Sequence, residues 1–295
     1  MAPLGTVENT PGPASPGGPK SRVLGVCSWS LQPRDLAGLL AALRATGLRA
    51  VQLALDPLRT GVMDPGATAD ALAQEGYRVP SGMLAFPGED YLTLESIRRT
   101  GGVVPDADWP QNLASARAAV AIAERLALPL VTFHAGFIPH RAADPARRVV
   151  LDRIRAVAEP FLERGIRVGL ETGQENAITL LDALQTLDLP GVGVNFDPAN
   201  MILYGMGDPV QALEQLAPQV LQVHLKDALP AGRAGQWGVE TPAGAGAVDW
   251  PSFFGVLESR LPGIPLMIER ESGDERVEDI RRAAGLAAHH LGGLP

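Results

Sequence analysis

The chain has 295 residues, of which 46% are hydrophobic, and its formal net charge is −8. This balance disfavours a surface that neutralises phosphates, because nucleic-acid binders usually carry a basic face. The single cysteine, Cys27, excludes an intrachain disulfide, and no apolar run approaches the roughly 20 residues of a membrane span. We therefore expect a cytoplasmic protein whose partners include neither nucleic acids nor membranes.

Residues 1–21 are rich in Pro, Gly, Ser and Thr and contain no long apolar segment, which predicts a disordered tail and not a signal peptide. From residue 22 to residue 295 we expect one domain, in which short apolar runs alternate with helical patterns. The candidate strands are 23–29, 50–55, 78–84, 129–134, 167–171, 191–197, 219–225 and 265–269. The candidate helices are 36–46, 112–126, 145–163, 177–187, 210–216, 250–261 and 277–291.

This alternation indicates βαβ units with a parallel sheet, so the predicted fold class is α/β. Eight such units favour a single (β/α)₈ TIM barrel, although counting alone does not exclude an open doubly wound sheet. Two long connections interrupt the pattern, at 86–111 and at 228–249. A connection of that length is often functional, and we interpret the first as a partial lid.

Four successive candidate strands end on residues that bind metals. The fifth ends at Glu171, the sixth at Asp197, the seventh at His224 and the eighth at Glu269. Barrel active sites lie at the carboxyl ends of the strands, where these side chains would converge. Three converging carboxylates would repel one another unless a cation compensates them, which predicts one divalent ion: Mn²⁺, Zn²⁺, Co²⁺ or Mg²⁺. Any one of the four alone could be a solvated loop residue, but coincidence at four strands is improbable.

The motifs around these residues resemble the xylose isomerase-like barrel superfamily. They are Glu-Thr-Gly at 171–173, Asn-Phe-Asp-Pro-Ala-Asn at 195–200, His-Leu-Lys-Asp at 224–227 and Ile-Glu-Arg-Glu at 268–271. The resemblance runs from about residue 24 to about residue 291. That group includes sugar and sugar-phosphate isomerases and epimerases, inosose dehydratases and type IV apurinic endonucleases.

The resemblance implies that Glu171, Asp197, His224 and Glu269 bind the metal. It also implies that the metal holds a carbonyl and a neighbouring hydroxyl of an open-chain sugar, and that Glu171 and Glu269 move the proton. Ketose 3-epimerases carry three further residues in this group, a Glu, a His and an Arg. This sequence has Ala177, Asn200 and Pro230 there, so their ketose specificity is not carried over.

Two more residues are candidates for catalysis. His134 ends the fourth strand and is interpreted as a hydrogen-bond donor or proton relay, with packing at the barrel mouth as the alternative. Lys226 lies two residues beyond His224, so strand pleating directs it to the same side. Only it and Lys20 are lysines among the 25 lysine and arginine residues. Lys226 could stabilise an oxyanion, or act as an acid or base if desolvation lowers its pKa.

Five residues are candidate substrate contacts, each with a structural alternative. Trp29 could stack on a sugar face or pack in the core, and Gln52 could satisfy a neighbouring group instead of a substrate. Asp227 could equally cap a loop. A glycine-rich turn at 244–246 resembles a phosphate-binding loop only loosely. The candidate contacts are Trp29, Gln52, Glu175, Asn200 and Asp227.

The sequence therefore favours a metal-dependent isomerase or epimerase that acts on a small sugar or polyol derivative, and it is compatible with a homo-oligomer. A dehydratase of the same group, acting on a keto-inositol, is the alternative, since both reactions begin with proton removal beside a carbonyl. A DNA-repair endonuclease is less favoured, because the chain is acidic and has only five histidines. A sugar-binding barrel without activity is also less favoured, since the ligand set is complete.

Overall fold

The computed structural model describes residues 22–233 and 235–292. Its eight parallel strands close into a barrel in the order β1-β10-β7-β6-β5-β4-β3-β2, and a separate antiparallel hairpin pairs β8 with β9. The barrel strands are β1 (Leu24–Cys27), β2 (Ala50–Ala54), β3 (Arg78–Met83), β4 (Leu130–Phe133), β5 (Arg167–Glu171), β6 (Val192–Phe196), β7 (Val220–Leu225) and β10 (Leu266–Ile268), and the hairpin strands are β8 (Asp227–Leu229) and β9 (Val239–Thr241).

Eleven α-helices are present among the described residues, and most of them surround the barrel. Several begin at an aspartate that caps the helix and is followed by proline, as Asp144 does for α6 and Asp208 for α9. The helices are α1 (Leu36–Thr46), α2 (Asp56–Arg59), α3 (Pro65–Gln74), α4 (Leu94–Thr100), α5 (Trp109–Arg125), α6 (Pro145–Leu162), α7 (Ala177–Leu187), α8 (Pro198–Tyr204), α9 (Pro209–Leu216), α10 (Trp250–Arg260) and α11 (Arg276–Leu291).

The predicted closed barrel is confirmed, and each predicted strand overlaps an observed one. Helices α2, α3, α4 and α8 and the hairpin β8–β9 were not predicted. The predicted disordered tail, 1–21, lies outside the described residues, and the domain boundaries therefore stay a prediction. Within the described ranges, none of the helices combines the length and the apolar character needed to cross a membrane.

The prediction that 86–111 is one long loop is wrong, while its interpretation as a partial lid stays a prediction. The segment contains α4 and the first residues of α5, and it packs closely on the loop after β4. Gly102 and Gly136 have positive φ, and a Cβ added to either would lie within 2.3 Å of the opposing backbone. The backbone N–H of Val103 also donates to the carbonyl of Ala135. The segment is therefore a packed wall beside the barrel mouth.

A polar layer lies inside the barrel, where bulky aliphatic side chains are usual. Strand pairing sets Gln52 beside Ser81 and Asn195 beside Gln222, and these side chains are fully buried. Thr132 completes the layer by accepting a hydrogen bond from Nε2 of Gln52 at 2.8 Å. This layer lies beneath the candidate metal ligands and contacts two of them directly, His224 through Gln52 and Glu171 through Asn195.

Candidate metal centre and adjoining cavity

The structure brings together the four residues that the strand ends predict. One ligand atom from each of Glu171, Asp197, His224 and Glu269 lies within 4.8 Å of the others, and all four residues are buried. Nδ1 of His224 is 2.9 Å from Glu269 Oε2, 3.4 Å from Glu171 Oε1 and 3.6 Å from Asp197 Oδ2. The side chains therefore point at one common centre inside the barrel mouth.

In three of the four ligand candidates, one polar atom of the side chain contacts another group of the protein, and the second polar atom forms no hydrogen bond. Oδ1 of Asp197 accepts from the backbone N–H of Asn200 as the N-cap of α8, and Oε1 of Glu269 accepts from Trp29 Nε1 at 2.6 Å. Asp197 Oδ2, Glu269 Oε2 and His224 Nδ1 are buried and form no hydrogen bond of normal geometry, although Nδ1 lies 2.9 Å from Glu269 Oε2. Buried polar atoms normally have partners, so three unpartnered atoms around one point fit a site for a divalent cation.

Two amide contacts in the polar layer bear on the tautomer of His224. Its Nε2 is 2.8 Å from Oε1 of Gln52, which only accepts, and 3.1 Å from Nδ2 of Asn195, which only donates. The shorter contact, with Oε1 of Gln52, favours a hydrogen on Nε2. The same oxygen also accepts from Nε2 of Gln222 at 3.0 Å, which supports that amide orientation. In the neutral form of His224, Nδ1 is consequently the lone-pair nitrogen, and it faces the carboxylates. A hydrogen-bonded second nitrogen is what metal-binding histidines usually show.

The electrostatics of the cluster favour a positive charge at its centre. Burial alone would raise the pKa of Glu171 and of Glu269. His134 and His224 outweigh burial at Glu171, and Lys226 and His224 do so at Glu269, so both pKa values lie below the ordinary range. Burial alone would lower the pKa of His224, but its acidic neighbours raise it well above the ordinary value. A bound cation would take the place of that proton.

A cavity of about 440 Å³ adjoins the cluster. Three of its lining residues connect it to the ligand candidates. Nε2 of His134 is 3.5 Å from Glu171 Oε1, Nδ2 of Asn200 donates to the same oxygen at 3.1 Å, and Nζ of Lys226 is 3.4 Å from Glu269 Oε2. The volume is within the range of small-molecule sites. The predicted positions of His134, Lys226 and Asn200 beside the metal centre thus agree with the geometry, while their roles stay predictions.

The predicted substrate contacts divide into two groups. Asn200 lines the cavity, and Trp29 is half-buried, with its ring centroid 6.1 Å from that of His224. Gln52 is fully buried beneath the cluster and holds His224, so it satisfies a neighbour and does not face the cavity. Glu175 is buried and accepts from the backbone N–H of Ile138 at 2.8 Å, which joins the loops after β4 and β5. Burial raises the pKa of Glu175 to about 8.

Asp227 does not contact the cavity, so its prediction as a substrate contact needs correction. It is fully buried, and its two oxygens accept five hydrogen bonds from N–H groups. Side chains alternate along an extended chain, which directs Asp227 away from the neighbouring Lys226. Asp227 instead organises the loop between β9 and α10. The donors are the backbones of Ala228, Gly244, Gly246 and Val248 and the indole of Trp250.

Several cavity residues were not predicted from the sequence. Glu271 forms an ion pair with Lys226 at 2.5 Å, and Tyr204 and Trp237 form an aromatic pair with centroids 4.8 Å apart. Glu271 is part of the Ile-Glu-Arg-Glu motif, so the motif was a usable signal for it. Tyr204 lies at the end of α8, which was not predicted, and Trp237 lies in the loop before β9. No pattern in the sequence connected these two aromatic residues.

A model of the family described as "Xylose isomerase-like TIM barrel" matches residues 40–289. The chain therefore belongs to the xylose isomerase-like TIM barrel family, which confirms the resemblance of its motifs. No curated protein matches it.

Solved structures with the same fold include proteins of several kinds. A xylose isomerase domain protein from Planctomyces limnophilus is 29% identical, with a TM-score of 0.80 over 92% of this chain and 99% of that one. An L-ribulose 3-epimerase is 16% identical, with a TM-score of 0.70 over 92% and 94%. The probable 3-DHS dehydratase AsbF from Bacillus anthracis is 16% identical, with a TM-score of 0.68 over 92% and 100%. The last two likenesses show the fold.

Proposed function

We propose that this protein is a divalent-metal-dependent isomerase or epimerase that acts on a sugar or polyol derivative. The observation that carries the proposal is the convergence of Glu171, Asp197, His224 and Glu269 beside a cavity, with three unpartnered buried atoms facing one point. A divalent ion held there would supply the positive charge that makes a hydrogen beside a carbonyl acidic. The structural likeness to an epimerase supports this reaction class.

Glu171 and Glu269 are the proposed proton-transfer groups. Their low pKa values keep both carboxylates ionised at neutral pH, so each can accept a proton. Glu269 is held by the indole of Trp29, and Glu171 by the amides of Asn195 and Asn200. These hydrogen bonds fix the carboxylates in position and reduce the reorganisation that proton removal requires.

Lys226 and His134 are the proposed stabilisers of negative charge on the substrate. Burial alone would lower the pKa of Lys226, but Glu269, Glu271 and Asp197 raise it well above the ordinary value. Lys226 is therefore an ammonium group, and the alternative in which desolvation turns it into a base is not supported. Its place on the cavity wall suits an oxygen that gains negative charge as the proton leaves.

Solvent exchange tests the proposal. The purified protein is analysed for metal, loaded with Mn²⁺, Mg²⁺, Zn²⁺ or Co²⁺, and incubated in ²H₂O with keto-sugars and inososes. We expect deuterium at the carbon beside the carbonyl of at least one compound, and loss of exchange after chelation or in Glu269→Gln. A matched control is Glu75→Gln, which removes a carboxylate from the surface pair with Arg44. The proposal is contradicted if the metal-loaded protein incorporates deuterium into none of the compounds.

A dehydratase reaction is the second candidate, because the likeness to a dehydratase is as strong as the likeness to the epimerase. Proton removal beside a carbonyl begins both reactions, and the ammonium of Lys226 could assist a departing hydroxide. The products separate the two reactions. In ordinary water an epimer or isomer keeps the mass of the substrate, whereas dehydration lowers it by one water, so mass spectrometry of products formed in ordinary water decides between them.

A further inference from the structure

The loop after β7 offers its amide groups to a carboxylate of the protein. In TIM barrels, phosphate groups are frequently held by the loops after the seventh and eighth barrel strands. The glycine-rich turn at 244–246 lies in the first of these loops. However, the backbone N–H groups of Gly244 and Gly246 donate to Asp227 Oδ2 at 2.9 and 3.0 Å, and that of Val248 donates to Oδ1 at 3.2 Å. The carboxylate of Asp227 takes the donors that a phosphate would need.

The loop after β10, the eighth barrel strand, shows the same arrangement. The backbone N–H groups of Glu271 and Ser272 lie 2.9 and 3.3 Å from Glu240 Oε1 and donate to it. The guanidinium of Arg270 also donates to this oxygen, at 2.6 Å, and its Nε donates to Asp279 at 2.9 Å. Both the amides and the nearby guanidinium are therefore satisfied by internal carboxylates.

The basic side chains that line the cavity are paired as well. Nζ of Lys226 is 2.5 Å from Glu271 Oε2, and Nε2 of His134 is 3.5 Å from Glu171 Oε1. No arginine lines the cavity in the part of the chain that the structure describes. The negative side chains Glu240 and Glu271 are part of the wall. Among the described residues that line the cavity, a phosphate or carboxylate group on a ligand would meet like charge and no unpaired cationic side chain.

The rest of the wall suits a neutral sugar. Tyr91, Tyr204 and Trp237 line the cavity, and the last two meet edge to face. Aromatic rings pack against the C–H face of a carbohydrate, and the carboxylates of Glu240 and Glu271 can accept from hydroxyl groups. Both kinds of contact recognise an uncharged polyol.

We propose that the cavity selects an uncharged polyhydroxy ketone or aldehyde, without phosphate or carboxylate groups, and that Glu271 enforces this choice by occupying Lys226. This inference rests on the proposed function, because it names the substrate class of the same site. It also assigns a specificity role to Glu271, which lies outside the set of four ligand candidates. Removing the charge of Glu271 would take away the nearest carboxylate of Lys226 and leave Glu269 Oε2, at 3.4 Å, as the next one. A divalent ion bound at the candidate centre would share Glu269, so the ammonium of Lys226 could then pair with an anion.

Binding to matched pairs of compounds tests the inference. The pairs are D-fructose with D-fructose 6-phosphate and D-xylulose with D-xylulose 5-phosphate, and their dissociation constants are measured calorimetrically with and without saturating Mg²⁺. In the unmodified protein we expect the neutral member to bind at least about tenfold more tightly, because like charges across the contact disfavour the anion. In Glu271→Gln we expect the ratio to shrink by about fivefold or more, since Lys226 is freed. Glu75→Gln removes the same charge at the surface and should leave the ratio unchanged.

The outcomes of the binding experiment test the proposed substrate class independently of the proposed reaction. Tighter binding of the phosphorylated members overturns the inference, and so does an absence of measurable binding by the neutral members. An equal change of the ratio in Glu271→Gln and Glu75→Gln overturns the role of Glu271. Neutral compounds that bind selectively but exchange no hydrogen leave the inference standing and contradict the proposed function instead.

Discussion

The hydrogen bond between Gln52 and His224 gives a sharp test of how the barrel interior supports the metal centre. In Gln52→Met a side chain of similar length remains, but the acceptor for the N–H at Nε2 of His224 is lost. The imidazole can then rotate or change tautomer, and either change removes the Nδ1 lone pair from the centre that it shares with the carboxylates.

The size of the effect follows from the position of Gln52. Residues that orient a metal ligand typically change metal affinity 10- to 100-fold when they are replaced, which corresponds to about 1.4–2.7 kcal/mol. The substitution also leaves buried N–H groups of His224 and Gln222 without their acceptor, at a cost of about 1–3 kcal/mol in folding stability. We therefore expect both metal affinity and stability to fall.

Competition with a chelator measures the affinity for Mn²⁺, and denaturation in excess chelator measures the stability without metal. The control is Thr46→Val, which removes another buried hydrogen bond, from Oγ1 to the carbonyl of Leu43 at 2.8 Å, far along the chain from the ligand candidates. This control should lose stability and keep its affinity for Mn²⁺. An affinity in Gln52→Met within twofold of the unmodified protein would refute the reasoning.

Three further predictions concern residues at the barrel mouth. Glu269→Gln should keep the fold, weaken metal binding and abolish most solvent exchange, since an amide is a poorer ligand and no base; full turnover would place the chemistry elsewhere. Lys226→Arg should lower turnover at least about tenfold with unchanged metal content, because a planar guanidinium does not fit the buried place of an ammonium; wild-type turnover contradicts this. Glu175→Gln should gain stability relative to the unmodified protein as pH rises from about 4.5 to about 8, because the unfolded carboxyl ionises while the buried one stays protonated. Chelator-treated samples denatured at pH 5 and pH 8 measure this difference, and an equal difference at both pH values contradicts it.

The sequence predicts the barrel well because its signals are local. Apolar runs of strand length alternate with helices that begin at Asp-Pro pairs, and tertiary packing only adjusts their ends. Helix α3 carries the same Asp64-Pro65 signal and was nevertheless missed. The hairpin β8–β9 had no local signal of this kind. The loop that follows it is held by hydrogen bonds to Asp227 from donors up to 23 residues further along the chain, which a local pattern does not reveal.

The candidate ligands were predictable for a different reason. Parallel strands present their last residues at one end of a barrel, so the position of Glu171, Asp197, His224 and Glu269 follows from counting strands. The partners of these residues do not follow from counting. Whether Gln52 contacts a substrate or a histidine depends on its height along the barrel axis. That height follows from the strand register, which is set by the whole barrel. Glu271 lies in a loop, where strand pleating does not determine the direction of a side chain.

The buried polar layer holds two residues of the candidate metal centre in place. Five fully buried polar side chains replace aliphatic ones in the barrel, and such a layer costs stability unless its hydrogen bonds are satisfied. Here they are connected from strand to strand: Ser81 donates to Gln222, Gln222 donates to Gln52 and Asn195, and Gln52 donates to Thr132. The network ends at His224 and at Glu171, which accepts from Nδ2 of Asn195 at 3.2 Å. An apolar layer would pack as well but would leave these side chains free to turn, so the polar layer orients two of the candidate ligands within the protein itself.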